Sequence, residues 1–164
     1  MAPIYTPQRN VGGANDLISV LRSSAAGMEM ISSRGLGLRD VFRALREGQL
    51  LVFLQDLDAR KDGVVVPFLG MPASTAVGIV KMHHRYEAPV VPILCLRNSD
   101  GVTHTIRIHE ILSDISDECG NPFGSDMEKS LKVCNNILAD WVRSYPEQWM
   151  WLLDRWESTV GVAR

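Results

Sequence analysis

The sequence is short of several features that would place it quickly. It holds three cysteines, Cys95, Cys119 and Cys134, with no C-x-x-C pair among them, which argues against a disulfide framework and a zinc site and fits a reducing compartment. No apolar run approaches the ~20 residues that span a bilayer, and Met1 to Asn10 lacks the basic start and apolar block of a signal peptide. The chain as it stands is therefore expected to be soluble or peripheral. Nor is there a surplus of positive charge: 17 Lys and Arg stand against 19 Asp and Glu, a formal net charge of -2. That leaves no electrostatic footprint for nucleic acid and argues against that partner. What is present is 164 residues, 46% hydrophobic and 22% charged, enough for one core, and residues 1–164 are read as a single domain.

After a Pro-containing start read as irregular, Asn15 can cap a helix carrying Leu17, Ile18, Val20 and Leu21, with Gly27 as its stop. Met28 to Ile31 reads as a short strand. Gly37 to Glu47 places Leu38, Val41, Phe42 and Leu45 on one face and Arg39, Arg43 and Arg46 elsewhere, an amphipathic helix ended by Gly48. The apolar run Leu50 to Leu54 predicts a strand buried on both faces, with Asp56 and Asp58 at its C-terminal edge. Val64 to Phe68 gives another strand, Ser74 caps a helix through about Arg85, and Pro89 to Leu96 supplies a second wholly apolar strand.

Asn98 to Gly101 is a turn, and the alternation over Val102 to His109 predicts a half-buried edge strand paired as a hairpin. Ser125 and Glu128, in capping-box spacing, open a helix with Met127, Leu131, Cys134, Leu138, Trp141 and Val142 as its stripe. Pro146 interrupts it, and Trp149 to Trp156 reads as a final short helix. Strands alternating with helices predict an α/β fold, a mostly parallel sheet flanked by helices.

Three blocks carry a family resemblance. The first is Arg43-Ala-Leu-Arg-Glu-Gly48, followed by Leu51-Val-Phe-Leu-Gln-Asp56-Leu-Asp58 and by Val64-Val-Val-Pro-Phe-Leu-Gly70-Met-Pro-Ala-Ser-Thr75. The second is Ala88-Pro-Val-Val-Pro-Ile93, and the third is Tyr145-Pro-Glu-Gln-Trp-Met-Trp151 with Arg155-Trp156. In this order they resemble the late acyltransferases of lipid A biosynthesis, the lauroyl and myristoyl transferases of the wider glycerolipid acyltransferase superfamily. Ile4-Tyr5-Thr-Pro7 and Asn10 look like the segment that follows the family's catalytic motif.

The resemblance implies a glycerolipid-acyltransferase-like fold, here the C-terminal portion and incomplete at the N-terminus. It implies transfer of a fatty acyl chain from acyl carrier protein or acyl-CoA to a phosphorylated glycolipid. The place implied is the cytoplasmic face of the bacterial inner membrane, through an N-terminal anchor absent from this chain, and no metal or redox cofactor is implied.

Such a transfer needs a base for the acceptor hydroxyl and a carboxylate to orient it, which the resemblance assigns to a His-x-x-x-x-Asp motif. The one such spacing here, His109 and Asp114, falls where the family has a variable connection and is read as chance. His83 and His84 have no carboxylate at that interval and are read as a helix end. No catalytic residue is assigned, and the chain by itself is expected not to catalyse acyl transfer.

The residues assigned to substrate are Arg34, Asp56, Asp58, Ser74 and Thr75. Gly27-Met-Glu-Met-Ile-Ser-Ser-Arg34 resembles the superfamily's phosphate-positioning segment, and a guanidinium has the fork geometry a phosphate needs. Asp56 and Asp58 lie at a strand's C-terminal edge, where α/β folds place their sites; loop capping is the alternative, and a divalent metal a weaker one. Ser74 and Thr75 stand at an expected helix N-terminus, as caps or as part of an anion site.

Of the four tryptophans, Trp141 and Trp151 are read as core, while Trp149 and Trp156 stay open between the core and a membrane headgroup layer. Two rivals share these features: a phosphatidylinositol mannoside acyltransferase, and a non-catalytic module that binds lipid or acyl carrier protein.

Overall fold

The computed structural model describes residues 2–5, 20, 24, 31–32, 37–112, 120 and 122–160. Two compact units emerge, Met1–Leu54 and Gln55–Arg164. Of the helix expected from Asn15 to Gly27, Val20 and Ser24 are helical and the rest lies outside the described residues, as do Met28 to Met30 and Arg34.

In the first unit, strand β1 (Ala2–Tyr5) lies between β2 (Ile31–Ser32) and β3 (Leu51–Val52), parallel to both. The start read as irregular is thus the middle strand. Its first half pairs only with β3 and its second half only with β2, so Pro3, with no N–H to give, has to satisfy one neighbour and not two. Helix α1 (Gly37–Arg46) buries Val41 of the expected face together with Ala44, half-buries Leu45 and leaves Phe42 exposed, with Arg46 5.5 Å over the Phe42 ring. Gly48, at φ +69°, closes the helix by donating to the Leu45 carbonyl at 3.0 Å. The run Leu50 to Leu54 does not form a strand buried on both faces. Only Leu51 and Val52 pair, and Leu50 and Leu54 are exposed.

The second unit is built on two antiparallel hairpins, so a mostly parallel sheet does not describe it. Strands β4 (Gly63–Phe68) and β5 (Met71–Ala76) are joined through Leu69 and Gly70, at φ +50° and +86°. Two left-handed residues in a row make the mirror-image turn whose twist matches that of the strands. The register sets Pro67 against Pro72. The pair closing a two-residue turn is hydrogen-bonded and the next is not, so the facing prolines need no inward N–H.

Ser74 therefore lies inside β5 and caps no helix. Helix α2 (Gly78–Tyr86) begins four residues later, with Val77 as an N-cap that makes no side-chain bond. The second hairpin, β6 (Ile93–Arg97) and β7 (His104–Ile108), matches the predicted alternation in pairing and not in burial, since all five residues of β7 are exposed.

Helix α3 (Met127–Ser144) is capped by Asp126, which accepts from the Lys129 N–H at 2.8 Å; Ser125 donates instead to the Pro122 carbonyl. Val66, Val80, Leu112, Phe123 and Leu131 form one core. A second joins Phe68, Ala73, Ala139 and Val142 with Trp149 and Trp156.

The expected helix from Trp149 to Trp156 is a series of turns, and the tryptophan assignment changes with it. Trp149 and Trp156 each stand 5.7 Å from the Phe68 ring, whereas Trp151 is exposed, its indole N–H donating to the Pro146 carbonyl at 2.7 Å. Trp141 is half-buried, edge-on to His109. Among the described residues no helix is long and apolar enough to cross a membrane.

Candidate functional site

Strand β5 buries Ala73, Ser74 and Thr75 in succession, so two hydroxyls enter the interior and must find partners there. Thr75 Oγ1 accepts from Asn135 Nδ2 at 3.1 Å and from Arg155 Nη2 at 2.9 Å, and donates to the Ala73 carbonyl at 3.2 Å. Ser74 Oγ donates to the Arg60 carbonyl at 2.6 Å, while its own carbonyl accepts from Arg155 Nη1. The other amide hydrogen of Asn135 goes to the Pro67 carbonyl at 3.0 Å, an outward-pointing acceptor of the hairpin.

Arg155 is the centre of this arrangement: its side chain is buried, with Cζ 5.5 Å above the Phe68 ring. Burial pulls the guanidinium below its ordinary pKa, and the charges of Asp58 and Asp56 oppose that pull. An arginine stays charged throughout the accessible pH range, so a cation is held beneath β5 with two carboxylates for balance.

Asp58 is itself well occupied. Its carboxylate accepts from the Arg60 N–H at 2.9 Å, the Ser158 hydroxyl at 2.7 Å and the Ser158 N–H at 2.8 Å. Burial raises its pKa, but these bonds and the Arg155 charge outweigh burial and leave it below the usual value. Asp56 Oδ1, by contrast, is buried with no hydrogen-bond partner among the described residues. The same holds for Asn135 Oδ1, Arg155 Nε and the indole nitrogens of Trp149 and Trp156. Among the described residues no group of three His, Cys, Asp or Glu could hold a metal ion.

Four of the five residues expected to touch substrate, Asp56, Asp58, Ser74 and Thr75, thus gather around one buried guanidinium; the fifth, Arg34, lies outside the described residues. Sequence reasoning assigned no site role to Arg155 or Asn135. A charge set inside the aromatic run 149–156 was the available signal for Arg155. For Asn135 it was a polar side chain in helical register with Leu131 and Ala139.

The histidines do other work. His83 sets Nδ1 at 3.0 Å from the Ala88 carbonyl and Nε2 at 3.0 Å from the Phe123 carbonyl, tying the end of α2 to the segment before α3. His109 Nδ1 contacts the Glu110 carbonyl, and Asp114 lies outside the described residues. Among the described residues no histidine is hydrogen-bonded to a carboxylate. Burial pushes the Cys134 thiol up to about 12, which removes it as a nucleophile.

The sequence profile of the bacterial lipid A biosynthesis acyltransferases matches residues 1–158, and the chain belongs to that family. A relative from Haemophilus influenzae named as a lipid A biosynthesis acyltransferase is 27% identical over 154 residues, which cover 93% of this chain and 45% of the relative. The chain therefore spans less than half of that relative's length.

Proposed function

We propose that this chain forms the acceptor-holding part of an enzyme that moves a fatty acyl chain from acyl carrier protein or acyl-CoA to a hydroxyl of a phosphorylated glycolipid. It works at the cytoplasmic face of the bacterial inner membrane, and residues 1–164 act within one catalytic domain. The observation that carries this reading is the gathering of Asp56, Asp58, Ser74 and Thr75 around Arg155, inside a chain whose residues 1–158 match the family.

The transfer takes the proton from the acceptor hydroxyl, forms the new ester C–O bond at the thioester carbonyl and expels the thiolate. Asp56 has a buried carboxylate oxygen with no partner among the described residues, and it accepts a hydrogen bond from the acceptor sugar. Ser74 holds its loop to β5 through the Arg60 carbonyl, Asp58 ties that loop to Ser158, Thr75 seats Arg155, and Arg34 supplies the guanidinium for the acceptor phosphate. The base lies outside the described histidines, so the 164-residue chain alone gives no turnover.

The test is an in vitro acyl transfer assay with the gene's complete product, offering acyl-loaded carrier protein with a lipid A precursor and, in parallel, a phosphatidylinositol mannoside. Transfer to the lipid A precursor is expected, with kcat/KM falling roughly 10²-fold in Asp56→Asn, the size of loss that misplacing a reactant brings. Unchanged kinetics in that variant would remove Asp56 from the site, and preference for the mannoside would change the acceptor. Turnover by the 164-residue chain alone would overturn the assignment of the base.

A further inference from the structure

Beyond the one-turn helix Pro146–Gln148, the chain turns Met150, Trp151, Leu152 and Leu153 outward one after another, at 59%, 56%, 93% and 50% exposure. This loop is held in place. Trp151 N–H donates to the Trp149 carbonyl at 2.9 Å, Leu153 N–H to the Met150 carbonyl at 3.1 Å, and the Trp151 indole to the Pro146 carbonyl at 2.7 Å. Two residues on, Arg155 is locked under β5. Apolar side chains fixed in this way cannot retreat from water by a small rearrangement.

Their spacing limits what covers them. A helix-binding groove reads positions three and four apart, and strand addition reads alternate residues. Four consecutive apolar residues on a turn suit a medium apolar on every side, with the amphipathic indole at its polar boundary.

The neighbouring hairpin adds to this. The Gln148 carboxamide bonds both main-chain groups of Arg97, accepting from its N–H at 2.8 Å and donating to its carbonyl at 3.1 Å. The register places Ile93 opposite Ile108, Cys95 opposite Ile106 and Arg97 opposite His104, so these six share one face of β6–β7, and all are exposed. Arg97 has no ion pair among the described residues. A cation at the rim of apolar surface complements an anionic headgroup. Asp100 in the hairpin turn and Glu147 and the exposed Asp154 on either side of the loop offset that charge, which leaves the apolar residues to carry most of the binding.

We propose that the 150–153 loop inserts into the interfacial layer of an anionic phospholipid bilayer, with the Arg97 end of β6–β7 at the headgroups. This rests on the membrane-face location proposed above and names the surface that makes the contact; it is read without turnover, so bilayer insertion by this loop can fail while the acyl transfer stands.

The experiment mixes the full 164-residue protein with vesicles of phosphatidylcholine alone or with phosphatidylglycerol, and follows co-sedimentation and tryptophan quenching by bromine-labelled acyl chains. The wild type is expected in the pellet, more so with phosphatidylglycerol, with quenching that falls in Trp151→Phe. Leu152→Asp, at the most exposed position, is expected to keep the wild-type melting curve and to lower vesicle partition about tenfold. Equal sedimentation of Leu152→Asp and wild type, or a wild type that stays in the supernatant, would overturn the proposal. So would an ultracentrifugation result in which Leu152→Asp abolishes a dimer and leaves vesicle binding intact.

Discussion

Thr75 carries one hydroxyl proton and two lone pairs, and each has a use: the proton for the Ala73 carbonyl, the lone pairs for Asn135 and Arg155. Removing the guanidinium takes one buried donor each from the Thr75 hydroxyl, which keeps Asn135, and the Ser74 carbonyl, which keeps the Ala59 N–H, and it leaves Asp56 and Asp58 without their counter-charge. Arg155→Ala is therefore expected to cost about 3 kcal/mol, and Arg155→Lys to recover less than half of it, measured by urea unfolding followed through tryptophan emission. Asp58 gives a pH dependence whose sign follows from its depressed pKa. The ionised form is favoured by folding, so its stabilisation is complete above the ordinary carboxylate value of about 3.9 and disappears as pH falls through the lower folded value. Thermal melts of wild type and Asp58→Asn should differ at neutral pH and converge in acid; a gap that stays constant would place the effect elsewhere. Asp56 and Asp58 were singled out as the edge of a strand that shrinks to Leu51–Val52, and Ser74 and Thr75 as the start of a helix where the chain forms β5, so their gathering around Arg155 was not legible in the sequence. Nor were Arg155 and Asn135, because charged and amide side chains are exposed by default and only tertiary packing overrides that.

The elements teach a similar lesson about neighbours. Helix α3 starts at Asp126's side chain, one residue after the serine that the capping-box spacing selects. Asp126→Ala should cost about 1 kcal/mol. Ser125→Ala, which removes only a bond to the Pro122 carbonyl, should cost clearly less in the same urea titration, and the reverse order would restore the capping box. The hairpin β4–β5 was half legible: its first strand is a plain apolar run, but Leu69-Gly70 lacks the Asn-Gly signature of its turn, and Pro-Ala-Ser-Thr reads as a helix start. The alternation of β7 told its pairing and not its burial, since a period of two reports which residues share a face and not whether anything lies against it. Pro3 and Pro7 concealed β1, whose neighbours come from residues 31–32 and 51–52.

For the molecule as a whole, the mixture of helices and strands was legible and the strand directions were not. The apolar stretch Pro89 to Leu96 looked like a buried parallel strand, yet its paired part, β6, returns on itself through a tight turn. Parallel pairing belongs to the unit Met1–Leu54 alone among the described residues. In the other unit, several residues after α3 pack back on the first hairpin and the loop before it: Trp149 and Trp156 on Phe68, Arg155 on Ser74 and Thr75, Ser158 on Asp58. A chain ended after Ser144 should therefore lose the cooperative urea transition of this unit, and one that unfolds as sharply as the wild type would show the tail to be dispensable. These contacts also set a schedule for the newborn protein. Arg155 follows Ser74 by 81 residues, roughly 4–16 seconds of translation at 5–20 residues per second. Through that interval the hairpin's polar strand waits without its clasp, so the nascent chain is exposed there to proteases and to aggregation.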